Sequence, residues 1–303
     1  MDDVTKTDKM LSRKDGRVGY VIFNNPERHN AVSLDMWAAT SRILEDFAKD
    51  DEVRVVVLTG AGGKAFVSGA DISKFESERA TLDATKHYNA TVEKAYAGVQ
   101  EFSKPTIAMI RGYCIGGGLG LAVCCDLRIC SDNSRFAVPA AKLGLGYSYA
   151  GLRRLVDVVG PAFAREIFFT ARQFDAEEAR AMGLVNRVVP EAELEAYVKN
   201  YAETIAGNAP LTVKAVKYIV GEVTKDESKR NMARCARDGG SMLRQQRLHR
   251  GPQGVHGEAQ TGIHREVMVS SPISFSSRGG EQRKQRGGKL SRMPGAGLVF
   301  QWS

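Results

Sequence analysis

The chain is predicted to be an α/β protein, and three observations predict it. Short β-branched runs bounded by Gly, Pro and Asn alternate with segments of helical apolar period, as in repeated right-handed ββα-like turns. The runs at 53–58 (VRVVVL) and 106–110 (TIAMI) are nearly continuous in apolar residues, the pattern of strands buried within a fold. At 303 residues and 43% hydrophobic, the chain can bury a substantial core. No strict internal sequence repeat is visible.

In chain order, 17–23 (RVGYVIF) reads as a strand and the Asn- and Pro-rich segment 24–30 as a turn. Ser33 is the expected N-cap of a helix running to about residue 49, with Leu34, Trp37, Ile43, Leu44 and Phe47 as its apolar stripe. Strand 53–58 ends at Thr59-Gly60-Ala61-Gly62-Gly63, a loop leading into Phe66-Val67-Ser68-Gly69-Ala70-Asp71. A long helix is expected over 82–102, stopped by Lys104-Pro105. Strand 106–110 then leads through Arg111-Gly112-Tyr113-Cys114-Ile115-Gly116-Gly117-Gly118 to an apolar helix over 119–125, and 127–130 is a further strand. Helices follow near 151–158, 161–169 and 176–182, then a short strand at 186–189 and helices across 192–206 and 211–221. This divides the chain into a core domain, 1–190, a C-terminal helical region, 191–240, and a tail, 241–303. Beyond Gly251 the tail is rich in Gly, Ser, Arg and Gln without apolar period and is expected to be mostly disordered.

The formal net charge of +8 suggests a nucleic-acid partner until it is located. The tail carries ten Lys and Arg against three Asp and Glu, which leaves only +1 for residues 1–240. Basicity therefore belongs to the tail, and a nucleic-acid partner for the fold is not expected. The N-terminus MDDVTKTDKM lacks an apolar leader and no run is long enough to span a membrane, so a cytoplasmic location is expected. Cys114, Cys124, Cys125, Cys130 and Cys235 show no CxxC or Cys/His spacing and read as reduced core residues, with no metal site.

Chemistry is carried by two glycine-rich junctions, Ser68-Gly69-Ala70-Asp71 and Gly116-Gly117-Gly118, each after a strand and each entering a helix. Glycine lets a ligand approach the backbone, and helix N-termini offer unpaired N–H donors with a favourable dipole. Two such termini facing one another suit a thioester carbonyl that becomes an enolate, because fixed donors meet charge as it develops. Alone, a GGG before a helix is more often a packing device. Neither GxGxxG opening a βαβ unit nor GxxxxGK[ST] is present, so a phosphate loop is not indicated.

Taken in order, the motifs resemble the crotonase (enoyl-CoA hydratase/isomerase) family over roughly residues 18–232. NNPERHNAVS is similar to its N-R-P-x-x-x-N-A-L segment, and VRVVVLTGAGGKAFVSGADIS to its V-x-x-x-x-x-T-G-x-G-x-A-F-x-x-G-A-D signature. KPTIAMIRGYCIGGGLGLAVCCD and GLVNRVVP match two further blocks. The resemblance implies a crotonase-like spiral of ββα repeats, a C-terminal helical trimerisation region, and a homotrimer or dimer of trimers. It implies oxyanion donors at the backbone N–H groups of Ala70 and Gly117. Coenzyme A, entering as part of the acyl-CoA substrate with no other cofactor, would be held around Arg28, Ser68, Ala70, Asp71, Ile72 and Gly117. The bland alternative for Arg28 is a solvated loop cation.

Departures from the family pattern fall on the proton-transfer groups. Hydratases of the family carry a Glu two residues after the third glycine and another after the proline of the next loop, and here those positions are Gly120 and Ala140. Neither can transfer a proton. Gly120→Glu with Ala140→Glu is then expected to raise hydration, provided that the pocket is otherwise that of a hydratase. Tyr147 and Tyr149 lie where the family's acyl pocket closes. Tyr147 is the candidate catalytic side chain, as a proton donor or carboxylate binder, against the alternative that both only pack on the acyl chain. His87 and Asp83 are expected to be exposed, and Ser148 has no His/Asp set to activate it.

The resulting expectation is an acyl-CoA enzyme that stabilises a thioester enolate, hydratase/isomerase-like in its overall resemblance. A CoA-thioester decarboxylase or hydrolase, and a catalytically silent acyl-CoA- or RNA-binding relative, are the alternatives. The family ending is absent, yet a one-base shift of reading frame across residues 242–265 permits C-F-D-S-N-D-Y-I-E-G-R-R-A-F-M-E-K-R-K-P-E-F-I, which resembles it. Residues from about 237 onward are therefore expected to be a frameshifted terminus, which would weaken assembly. The alternative is a genuine basic extension for anionic partners.

Overall fold

The structure is a computed structural model and describes residues 7–249. Strands β1 (Met10–Asp15) and β2 (Val18–Phe23) form an antiparallel hairpin, and α1 (Leu34–Lys49) follows. Then come β3 (Val55–Gly60), β4 (Ala65–Val67), the single turn α2 (Phe75–Glu78) and the long α3 (Leu82–Gln100). Strands β5 (Thr106–Ile110) and β6 (Tyr113–Ile115) lead into α4 (Gly117–Cys124), and β7 (Leu127–Ser131) and β8 (Arg135–Ala137) into α5 (Ala140–Leu143). The chain continues with α6 (Tyr149–Thr170), β9 (Phe174–Asp175), α7 (Ala176–Ala181), β10 (Arg187–Val189), α8 (Leu194–Gly207), α9 (Pro210–Val223) and α10 (Met232–His249).

One sheet has six strands in the order β1-β2-β3-β5-β7-β10 and the other four in the order β4-β6-β8-β9. The orders expose the repeat: each of three successive turns gives its first strand to the large sheet and its second to the small one, then enters a helix. All pairings within these turns are parallel. This is the α/β spiral of ββα units expected from the alternation of elements. Because β4, β6 and β8 are neighbours, the loops leaving them lie side by side.

Both faces of the large sheet are covered, which explains its nearly continuous apolar strands. Val55, Val57, Ile107, Met109 and Ile129 form one cluster with Leu194, Val198, Ala202 and Ala206 of α8. The alternate residues Val56, Leu58, Ala108 and Ile110 belong to the main core with Trp37, Leu44 and Phe47 of α1. Cys114, Cys124, Cys125 and Cys130 are free and buried, and burial pushes the Cys124 thiol up to about 12. Among the described residues no helix is long and apolar enough to cross a membrane.

Several expectations need correction. Ser33 occupies the N-cap position, but its hydroxyl turns to Asp35, and the Leu34 N–H is met instead by the Glu78 carboxylate at 3.0 Å. The two helices expected at 151–158 and 161–169 are, by contrast, borne out: α6 consists of two helical segments parted at Gly160, whose φ of 73° and ψ of 169° no helix tolerates, with Pro161 opening the second. The boundary drawn at residue 241 falls inside α10, which runs to His249. The rest of the expected disordered basic tail, and its frameshift reading, lie outside the described residues.

Candidate active site

The loops leaving β4, β6 and β8 carry Ala70, Gly117 and Ala140 at related points of successive turns. Gly69 has φ 109° and Gly116 has φ 54° with ψ −115°, conformations a side chain at either position would strain. They let the two turns touch, since a Cβ on Gly69 would stand 3.4 Å from the Ile115 carbonyl oxygen and 3.8 Å from the Gly117 nitrogen. Gly118 has a different task, because a Cβ there would collide with the Val67 carbonyl oxygen and lift α4 off β4.

Two amides are left over. The Val32 N–H donates to the Gly69 carbonyl at 2.8 Å and the Asp71 N–H to the Val32 carbonyl at 2.9 Å, so Val32 straddles Ala70. Among the described residues the Ala70 N–H has no acceptor. Gly116 is satisfied by the Ala137 carbonyl at 2.8 Å, while Gly117 opens α4 with an N–H its own helix cannot use. Ala70 and Gly117 are both half-buried.

The rim around Ala70 is tightly tied. Arg28 pairs with Asp71 at 3.2 Å and donates to Ser73, while its side chain stays 54% exposed. Burial works against the Asp71 charge, but Ser73, through its hydroxyl and its N–H, and the Arg28 guanidinium outweigh it and hold the carboxyl below the usual range. The Ser68 N–H donates to the His29 carbonyl and its hydroxyl to the Arg28 carbonyl at 3.3 Å. Asn30, fully buried at φ 57°, donates to the Ala61 carbonyl at 2.9 Å and the Ala65 carbonyl at 2.8 Å and accepts from the Asn25 N–H. Ile72 is exposed beside this knot. The expected residues Arg28, Ser68, Ala70, Asp71 and Ile72 are thus brought together, with Arg28 partly neutralised rather than free.

The other side is built from side chains. Ala140 is only 4% exposed and belongs to the core, while Gly120 is half-buried in α4. Tyr96 of α3, which no motif singled out, fills the space above Gly120: a Cβ at residue 120 would stand 2.9 Å from its hydroxyl oxygen and 3.1 Å from Cζ. That hydroxyl donates to the Gly117 carbonyl at 2.8 Å. Burial pushes the phenol well above its ordinary pKa, so it is a neutral donor. Its ring meets the edge of the buried Trp37 at 5.3 Å, and the buried Arg154, bonded to Glu93 and Gln100, lies 5.8 Å from it. A signal existed in the apolar stripe Tyr88, Val92, Ala95, Tyr96 and Val99 on α3, in which a polar-tipped aromatic must find a partner.

Tyr147 packs edge-on against Phe168 at 4.8 Å, makes no hydrogen bond among the described residues, and has its pKa raised by burial. Tyr149 is largely exposed, and Asp83 and His87 lie on the exposed face of α3. Ser148 is a helix cap, accepting from the Gly151 N–H at 3.2 Å.

With this geometry in view, residues 13–256 match the family described as enoyl-CoA hydratase/isomerase. The short-chain-enoyl-CoA hydratase of Clostridium acetobutylicum is 37% identical over 70% of this chain and 80% of its own length. The carnitinyl-CoA dehydratase of Escherichia coli K12 is 35% identical over 88% of this chain and 94% of its own. Among solved structures, an enoyl-CoA hydratase/carnithine racemase from Magnetospirillum magneticum superposes with a TM-score of 0.72 at 36% identity, covering 81% of this chain and 94% of that one.

Proposed function

We propose, from the premise that this chain belongs to the enoyl-CoA hydratase/isomerase family, that it binds acyl-CoA thioesters and stabilises their enolates. The observation that carries this reading is the pair of amides, Ala70 and Gly117, without acceptors among the described residues, on two glycine turns in contact. A thioester oxygen held between them gains two hydrogen bonds that strengthen as it becomes an oxyanion, and fixed backbone donors need no reorganisation at that moment. Coenzyme A enters with the substrate along the Arg28, Ser68, Asp71 and Ile72 rim, and no other cofactor is invoked. The enzyme works in the cytoplasm as a homotrimer or a dimer of trimers.

Gly120 and Ala140 offer no proton, and this favours a second reading in which little base catalysis is needed. A thioester carrying a carboxylate on its α-carbon would lose carbon dioxide, leave its electron pair in the enolate, and take a proton from Tyr147 or water. Hydrolysis at the thioester is the lesser variant. A silent acyl-CoA-binding relative would bind without turnover. Acetoacetyl-CoA tests the common element, because its enolate absorbs in the near ultraviolet. Titration should raise that absorbance above its value in buffer at the same pH, and binding without any rise would remove enolate stabilisation. Mass spectrometry over a panel of enoyl, hydroxyacyl and malonyl-type thioesters then separates the reactions.

A further inference from the structure

We infer that Tyr96 is the positioning residue of the acyl side: it anchors the first turn of α4 through the Gly117 carbonyl and takes the volume that a proton-transferring side chain at residue 120 would need. The inference rests on the reading that the Gly117 N–H receives the thioester oxygen. Three observations converge on it.

The first is steric. Any residue but glycine at 120 places its Cβ 2.9 Å from the Tyr96 oxygen, 3.1 Å from Cζ and 3.4 Å from Cε2, closer than side chains ordinarily pack. Retreat of the ring is opposed by the edge of Trp37, 1% exposed, and by Arg154, which is held through Glu93 and Gln100. Glycine at 120 and tyrosine at 96 are therefore one unit rather than two independent substitutions. The second is the hydrogen bond of 2.8 Å to Gly117, the residue whose N–H the proposed function assigns to the thioester oxygen. Fixing that carbonyl fixes the start of α4, and the direction of a donor decides how well it meets a developing oxyanion. The third is charge. Burial holds the phenol neutral, so the space is closed by a group that can neither accept a proton nor serve as an anion.

Two consequences separate this role from mere packing. Grafting Gly120→Glu with Ala140→Glu leaves Tyr96 in the way, so the pair alone should not give a hydratase. The same pair combined with Tyr96→Ala should hydrate crotonyl-CoA at least about 100-fold faster than either parent, the worth of one placed proton-transfer group. Tyr96→Phe, which keeps the ring and loses one hydrogen bond, should weaken the acetoacetyl-CoA enolate signal about 3- to 10-fold while binding of saturated acyl-CoA changes little. Thermal unfolding supplies a readout that does not depend on ligand. Gly120→Ala should lower the melting temperature of the wild type and lower it far less in a Tyr96→Ala background. That steric coupling survives even if the oxyanion reading fails, whereas loss of the enolate signal in the wild type itself would overturn the oxyanion reading and, with it, the positioning role. Equal hydration by the Gly120→Glu, Ala140→Glu pair with and without Tyr96→Ala overturns the inference. So does additivity of Gly120→Ala and Tyr96→Ala in unfolding, or an unchanged enolate signal in Tyr96→Phe.

Discussion

The two ends of the candidate site are made differently. At one end, Gly69-Ala70 and Gly116-Gly117 present backbone amides on two turns in close contact, and the Ala70 turn is laced to the segment before α1 by Val32, Asn30 and the Arg28–Asp71 pair. At the other end, the space above Gly120 is a matter of side chains, filled by Tyr96 from α3. The first end is set chiefly by backbone conformation and the second by side chains, and Tyr96 joins the two through its bond to the Gly117 carbonyl. On the proposed reading the first end would hold an oxyanion, while residues 120 and 140 offer no carboxylate for moving protons.

The largest expected effect falls on the acyl end. Hydration of crotonyl-CoA should be absent or very slow, since two groups worth roughly 10²–10⁴ each are missing. A coupled or direct ultraviolet assay showing a rate typical of hydratases would break the contrast. Next comes the backbone end, where Gly117→Pro removes an N–H at a position where a helix accepts proline. Turnover of any substrate found should fall by about 10²–10³ with the circular-dichroism spectrum retained. Gly116→Ala probes how that end is held, because φ 54° with ψ −115° is costly for a side chain. A loss of about 1–3 kcal/mol in denaturant unfolding is expected. Ser148→Ala removes the cap of α6 on the opposite rim and should cost about 1 kcal/mol by the same measurement, with enolate absorbance unaltered.

The smallest effect is a pH dependence. The Asp71 carboxyl lies below its ordinary range in the folded chain, so its pairing contributes stability in full above about pH 4 and loses it as pH falls through the lowered value. Thermal melts of the wild type and Asp71→Asn should differ at pH 7 and converge in acid. A difference that persists at pH 2 would locate the contribution elsewhere.

The same contrast governs what the amino-acid order revealed. Gly69, Gly116 and Gly118 could be read as a site because each is demanded by local backbone geometry or close approach, and all three lie within two residues of Ala70 or Gly117. Gly120 and Ala140 could be read only as losses. The side chain that lies over residue 120, Tyr96, sits on another helix inside an ordinary apolar stripe, and its hydroxyl meets Gly117 only after the spiral has turned once more. In the fold, β5 was plain because all five of its residues are buried, whereas β1 was missed because only Met10 of its six is buried. Strands β4, β6 and β8, three residues each, are too short to show a period. α10 carries Gly239-Gly240 and is polar on average, and it packs on α9 with Arg234 stacked 3.7 Å from the Tyr218 ring.

Asn30 has a consequence for how the protein breathes. Its amide spans three stretches of chain, and opening them would strand the buried Ala65 carbonyl without a partner. The Arg28 loop therefore cannot fray as surface loops do. Its amides at Arg28, Ala31 and Val32 should exchange their hydrogens with solvent on the slow schedule of β2 and β3, whereas those of the exposed run 144–147, held by little beyond the Leu145 N–H to Ala140 bond, should exchange within the dead time of the measurement.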